Sequence, residues 1–298
     1  MSGRNNYETG SKKISLTFYL MTVPMAILFF IFHTIPFLRG VFYSFTDWKG
    51  FGNWHFVGLR NYGYMFSNAD IGSAYGFTFK FAVFATIFVN VIALLIALGL
   101  TSKIKFQNTL KAVYFLPYML GTLIVGFIFN FIFGNLLPDL GKALHWSFLT
   151  TNILGTSHAW IGILIVTIWQ GLAFNTLIYM SGLQSVSPEL YEAASLDGAG
   201  AWKKFWRITF PLIAPFFTIN LVLSVKGYLM VFDQIMAMTS GGPGNSTTSI
   251  SVLIYTQGFQ GSQFAIQSAN AVVLFLIVAG VFLFQLNVLN KREDRIEN

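Results

Sequence analysis

Cysteine is absent from the 298 residues, so disulfides, thiolate metal sites and cysteine nucleophiles are excluded. Charge is scarce too: Asp, Glu, Lys and Arg make up 10% of the chain, against about a quarter in an ordinary soluble domain. That deficit leaves too few charges to cover a water-exposed surface. No basic block exceeds two residues, so the net charge of +7 does not describe a phosphate-binding patch, and nucleic acid is excluded as a partner. A P-loop is missing: Gly141-Lys142-Ala143 has the Gly-Lys pair without the earlier Gly or the following Ser/Thr. Neither an HExxH nor a Gly-x-Ser-x-Gly motif occurs, and His33, His55, His145 and His158 lack metal-ligand spacing. The chain offers no catalytic constellation of its own, and no metal or cofactor is expected.

What is abundant is apolar. Hydrophobic residues reach 55%, mean hydropathy is +0.64, and 33 Phe, 7 Trp and 12 Tyr suit a lipid-facing surface with aromatic belts. A hydrocarbon core about 30 Å thick needs about 20 helical residues to cross it. Six stretches are long enough, near residues 14–38, 76–100, 112–137, 157–182, 211–232 and 266–289. Gly, Asn and Thr recur in the third and fourth, which marks them as helices packed inside a bundle. The fold class expected is an all-α integral membrane protein with six transmembrane helices.

Basic residues set the orientation. Arg4, Lys12 and Lys13 precede the first stretch; Lys103, Lys105 and Lys111 fill the second connection. Lys203, Lys204 and Arg207 lie in the fourth, and Lys291, Arg292 and Arg295 follow the last. The other connections carry only Arg39, Lys49, Arg60 and Lys142. Positive charge accumulates on the cytoplasmic side, so both termini are expected inside. The organisation is then a tail at 1–13, a transmembrane domain at 14–290 with a cytoplasmic loop at 183–210, and a tail at 291–298. The first stretch exceeds twenty residues and lacks a small-x-small cleavage site, so it reads as a retained helix.

The fourth connection is patterned where a linker would be featureless. Ser187-Pro188-Glu189 is a helix start: a capping residue, a proline at the first turn and an acid near the positive dipole end. Leu190, Ala193, Ala194 and Asp197 follow at helical spacing before Gly198 and Gly200 interrupt them. A second short helix begins at Ala201 and carries Phe205, Trp206 and Ile208 beside Lys203, Lys204 and Arg207. The residues alone fit either a helix–turn–helix that docks a protein or an amphipathic helix that lies on lipid.

Here a resemblance enters. Glu192-Ala193-Ala194, Asp197-Gly198-Ala199, then Phe205, Ile208, Pro211 and Pro215, resemble the EAA loop of ABC importer permeases, most closely the carbohydrate (maltose-type) family. Phe56-Val57-Gly58-Leu59-Arg60-Asn61-Tyr62, Phe115-Leu116-Pro117, and Phe232-Asp233-Gln234-Ile235 with Thr239-Ser240-Gly241-Gly242-Pro243-Gly244 resemble that family's other motifs in their expected order. The resemblance implies a type I ABC importer permease in a bacterial plasma membrane, forming half of a sugar pathway. It implies four kinds of neighbour: a second homologous permease, two cytoplasmic ATP-binding subunits, an extracytoplasmic solute-binding protein and the lipid bilayer. It makes Glu192, Ala193, Ala194, Asp197 and Gly198 the contact with the ATPase. It also aligns Trp169, Gln170, Gly171 and Phe174 of the fourth span with Ser224, Gly227 and Tyr228 of the fifth as sugar contacts.

Lys226 and Asp233 are seven apart, two turns along one helical face, and are candidates to pair with each other or with a partner subunit, the alternative for Lys226 being to snorkel outward. The competing class is an ion-gradient-driven secondary transporter. Such proteins carry internal repeats and intramembrane carboxylates; no repeat is visible, and Asp233 at a span edge is the one carboxylate candidate.

Overall fold

In hydrocarbon every backbone N–H and C=O must be met within the protein, which confines such a chain to helices or closed barrels. The computed structural model describes residues 8–102 and 105–297; Arg4 and Lys103 of the charge count, and the expected tail as far as residue 7, lie outside them. Among the described residues there are helices and no strand beyond one isolated bridge between Thr46 and Phe56. Among the described residues five helices are long and apolar enough to cross a membrane, and six when the bent pair Ala201–Leu212 and Ala214–Leu229 is counted as one span.

The first span joins α1 (Glu8–Phe29) to α2 (Ile35–Tyr43) through a π-helical turn at Phe30–Thr34. Its apolar window contains no residue buried by the rest of the chain. The loop after it is pinned by the first motif. Asn61, at the start of α3 (Arg60–Ser67), donates from Nδ2 to Ser44 O at 2.8 Å and Thr46 O at 2.7 Å. Beside it the backbone N–H of His55, donating to Asp47 Oδ1 at 2.6 Å, holds the Asp47 carboxyl below the usual aspartate value.

Asn68 caps α4 (Ala69–Thr101) by accepting from the N–H groups of Asp70 and Ile71. Along α4 the buried face is rich in alanine (Ala74, Ala82, Ala85, Ala93, Ala97), and α8 (Ala159–Ser185) and α12 (Ala214–Leu229) pack closely against it. The last helix, α15 (Phe264–Glu297), runs beside α2 and α3.

Two apolar stretches are interrupted. The run at 112–137 divides at Leu120 and Gly121, both extended, into α5 (Gln107–Met119) and α6 (Thr122–Phe131). A π-helical turn at Ile132–Leu136 then leads into α7 (Leu137–Ala143). In the fifth stretch α12 stops at Leu229, and α13 (Asp233–Met238) starts after three non-helical residues, Met230 to Phe232. The two outer pieces, α6 and α13, pack on each other. Gly126 meets Ala237 with no room for a side chain, and Asn130 Nδ2 donates to Met238 O at 2.5 Å.

Candidate functional site

The loop between the fourth and fifth spans folds into α9 (Pro188–Leu196), a turn, and α10 (Ala201–Lys204). Ser187 occupies the N-cap position with extended backbone, but its hydroxyl makes no capping bond; Pro188 and Glu189 supply the start signals that are used. The other end closes as a Schellman turn: Ala199 N–H donates to Ala194 O at 2.9 Å and Gly198 N–H to Ser195 O at 3.1 Å. Gly198 sits at φ +71°, the left-handed position this turn requires, and a Cβ there would meet nothing within 4 Å.

The helix is presented outward yet held firmly. Glu192, Ala193 and Asp197 are exposed, Ala194 is half-buried, and Leu196 is 91% exposed. Two side-chain contacts tie α9 to the segment leading into the fifth span: Tyr191 OH with Thr209 Oγ1 at 3.0 Å, and Lys204 Nζ donating to Ser195 Oγ at 2.6 Å. A patch so exposed and so braced can transmit force from whatever docks on it.

The residues aligned with sugar contacts fall into two groups. Trp169, 40% exposed, packs edge-on against Phe129 at 5.3 Å. It helps line a cleft of about 410 Å³ with Val113, Tyr114, Leu116, Pro117 and Leu120. Gln170, 7% exposed, donates from Nε2 to Leu120 O at 3.0 Å, so it meets a carbonyl that the break after α5 leaves unbonded. Its Oε1 is buried without a partner. Phe174 stacks on Tyr118 at 5.4 Å and 17°.

On α12, Gly227 is exposed, and Tyr228 brings its hydroxyl against Gly171, where a Cβ would stand 2.5 Å from it. Ser224 is turned inward. It donates from Oγ to Asn175 Oδ1 at 3.0 Å and accepts from Asn90 Nδ2 at 3.2 Å. Asn90 Oδ1 accepts from Tyr179 OH at 2.7 Å, and Asn220 Nδ2 donates to Asn175 O at 3.0 Å. Ser224 is therefore committed to a polar knot that joins α4, α8 and α12.

Lys226 and Asp233 do not pair. Both are exposed, and the ion pairs among the described residues are Asp47–His55 and Asp139–Lys142. The seven-residue register assumed one continuous helix, and the break at Met230 to Phe232 removes it.

Sequence reasoning missed Tyr118, Leu120 and Asn90; Asn175 stood out as a polar residue within the fourth span, but without its partners. The asparagines carried a usable signal, since a carboxamide inside an apolar run demands a partner in the bundle. The break at Leu120 carried a weaker one, Pro117 followed by Gly121.

Comparison with known proteins completes the picture. Residues 89–293 match the family model described as "Binding-protein-dependent transport system inner membrane component". The chain is 36% identical over 281 residues to the probable starch degradation products transport system permease protein AmyD of Thermoanaerobacterium thermosulfurigenes, covering 94% of this chain and 96% of the relative. It is 37% identical over 279 residues to the multiple sugar-binding transport system permease protein MsmF of Streptococcus mutans, covering 93% and 95%. Among solved structures, a chain of a bacterial ABC transporter involved in the import of alginate superposes with a TM-score of 0.82. Its sequence identity is 22%, over 96% of this chain and 99% of that one, a likeness of fold.

Proposed function

Since the chain belongs to the binding-protein-dependent transport system inner membrane component family, we propose that it forms half of the transmembrane pathway of an ATP-driven importer for a sugar or oligosaccharide. Two relatives that match nearly its whole length are named as permeases for starch degradation products and for multiple sugars. The pathway is completed by a second, similar permease, two cytoplasmic ATP-binding subunits drive it, and an extracytoplasmic solute-binding protein delivers the sugar. Both termini and the loop carrying α9 face the cytoplasm, the side favoured by the distribution of Lys and Arg.

The observation that carries this reading is the braced, outward-facing α9. Glu192, Ala193, Ala194, Asp197 and Gly198 dock on the ATPase; closure of the ATPase dimer moves α9. The ties at Thr209 and Ser195 carry that motion to the spans. A ligand or partner shifts such an equilibrium only by binding one state better than the other. ATP acts through the ATPase for that reason, and sugar acts through the cleft.

Trp169 offers a ring face in the cleft and the Tyr118–Phe174 stack another on the same two helices, and Gln170 Oε1, now buried without a partner, accepts from a sugar hydroxyl once the cleft opens. Gly171, Gly227, Tyr228 and Ser224 stand outside that lining and serve the sugar path along the contact of α8 with α12.

The test is a mild-detergent purification of the tagged chain from its native membrane, with partners identified by mass spectrometry. An ATPase and a second permease are expected with the wild-type chain. Gly198→Asp loses the ATPase and keeps the permease, with a small drop in thermal unfolding, because a side chain at 198 meets nothing within the chain and the left-handed conformation costs Asp about 1–2 kcal/mol at most. A chain that emerges alone overturns the reading.

A further inference from the structure

Residues 201–212, AWKKFWRITFPL, contain four aromatic rings and three cations but no acid. They comprise α10, a π-helical turn at Phe205–Thr209 and α11 (Phe210–Leu212), and the segment meets α12 at a bend of 68°. The segment therefore turns away from the axis of α12 instead of continuing it. Trp202 is 75% exposed and Trp206 48%, and the rings are continuous: Trp202–Trp206 at 5.6 Å, Phe205–Trp206 at 5.1 Å, Trp206–Phe210 at 5.2 Å.

Trp202 and Phe205, with Lys204, border an open groove of about 470 Å³ that includes Leu95 and Leu98 of α4. Those leucines lie within two turns of the end of α4 at Thr101, so the rings stand at the depth where tryptophan gathers, between acyl chains and headgroups. Lys204 is engaged by Ser195, whereas Lys203 and Arg207, four apart, are both exposed.

We propose that this segment is a binding site for an anionic glycerophospholipid of the adjoining leaflet. An acyl chain lies in the groove beside Leu95 and Leu98, and the headgroup passes over its rim at Trp202 so that the phosphate meets Lys203 and Arg207, which are exposed outside the groove lining. Charge complementarity selects the lipid: two cations with no acid in the segment attract a negative headgroup, and the apolar groove suits a hydrocarbon chain and not a soluble anion. The site adjoins α9 through Lys204 and Tyr191, so an occupied site steadies the base of the coupling helix.

The full chain is reconstituted in vesicles doped with brominated phosphatidylglycerol or brominated phosphatidylcholine, and tryptophan quenching is titrated against mole fraction. Trp202→Phe with Trp206→Phe identifies the share of signal from this segment. The anionic probe quenches that share at lower mole fraction, by about five-fold for each of the two cations. Lys203→Gln with Arg207→Gln abolishes the difference; Lys203→Arg with Arg207→Lys keeps it. Equal quenching by both probes overturns the proposal, and so does quenching by neither, which would place the rings against protein. The vesicles contain no ATPase, so this outcome stands apart from the purification test above.

Discussion

Asn90 on α4 and Ser224 on α12, 134 positions apart, hydrogen-bond at 3.2 Å, and Asn175 on α8 reaches the same hydroxyl at 3.0 Å. All three side chains are buried, so a partner removed here is not replaced by water at no cost. Hydrogen bonds between membrane helices contribute about 0.6 kcal/mol on average and at most about 1.7. Ser224→Ala is expected to lower stability by about 0.6 kcal/mol and Asn175→Ala by about 1–2. Because the two share one bond, the double variant falls short of their sum. Detergent unfolding titrations decide it, and strict additivity would count against the shared knot.

Gly171 and Tyr228 make the closest approach in the aligned sugar site. Gly171→Ala places a methyl 2.5 Å from the tyrosine hydroxyl, while the next ring atom stands at 3.8 Å. The single change is expected to cost about 1–3 kcal/mol through overpacking and to lower sugar uptake. Tyr228→Phe in the same chain removes the offending atom and restores most of the stability. No recovery in the double variant would show that the strain lies elsewhere.

The contact of α6 with α13 supplies a matched pair. Gly126→Ala drives its methyl into Ala237, whereas Gly121→Ala meets only Ile124, at 3.7 Å and with a movable end. The aggregation temperature in detergent should therefore fall markedly for the first, for about 1–3 kcal/mol of destabilisation. It should change little for the second.

Asp47 gives a pH dependence whose sign is fixed. Its folded-state pKa is depressed, chiefly by the His55 backbone N–H, so the stabilisation is present above the ordinary value of 3.8 and is lost as pH falls through the depressed one. Limited proteolysis of the loop at 44–59, using an acid protease, should accelerate on descending below pH 3.8. Asp47→Asn removes that dependence; His55→Ala, which keeps the backbone donor, retains most of it.

The long apolar runs were legible because span length is dictated by the bilayer and needs no tertiary information. The ends of α9 were legible because Pro188, Glu189 and Gly198 act locally. The interruption at Met230 to Phe232 was not, since those three residues are apolar and continue the run; nothing local forbids a helix there. What holds it is distant: Ser249 Oγ donates to Val231 O at 2.7 Å, eighteen positions away. Ser224 illustrates the converse. Its residue type suits a sugar hydroxyl, but the side on which it faces was set by Asn90 and Asn175, and the sequence gives no register between helices. Asn61 was quoted within a motif, and its work there, holding two carbonyls of the preceding loop, emerged only with the fold.

An unbroken helix carries its peptide groups through oil sealed against one another. The chain parts company with that arrangement at Leu120, opposite Gln170, which lies near the middle of α8. Carbonyls at the end of α5 and amides at the start of α6 are left without helical mates, and Gln170 reaches only one of them. The remainder need protein or water. Hydration is thus written into the backbone at this level, and a sugar arriving there exchanges one set of water-like neighbours for another instead of shedding its hydrogen bonds into hydrocarbon.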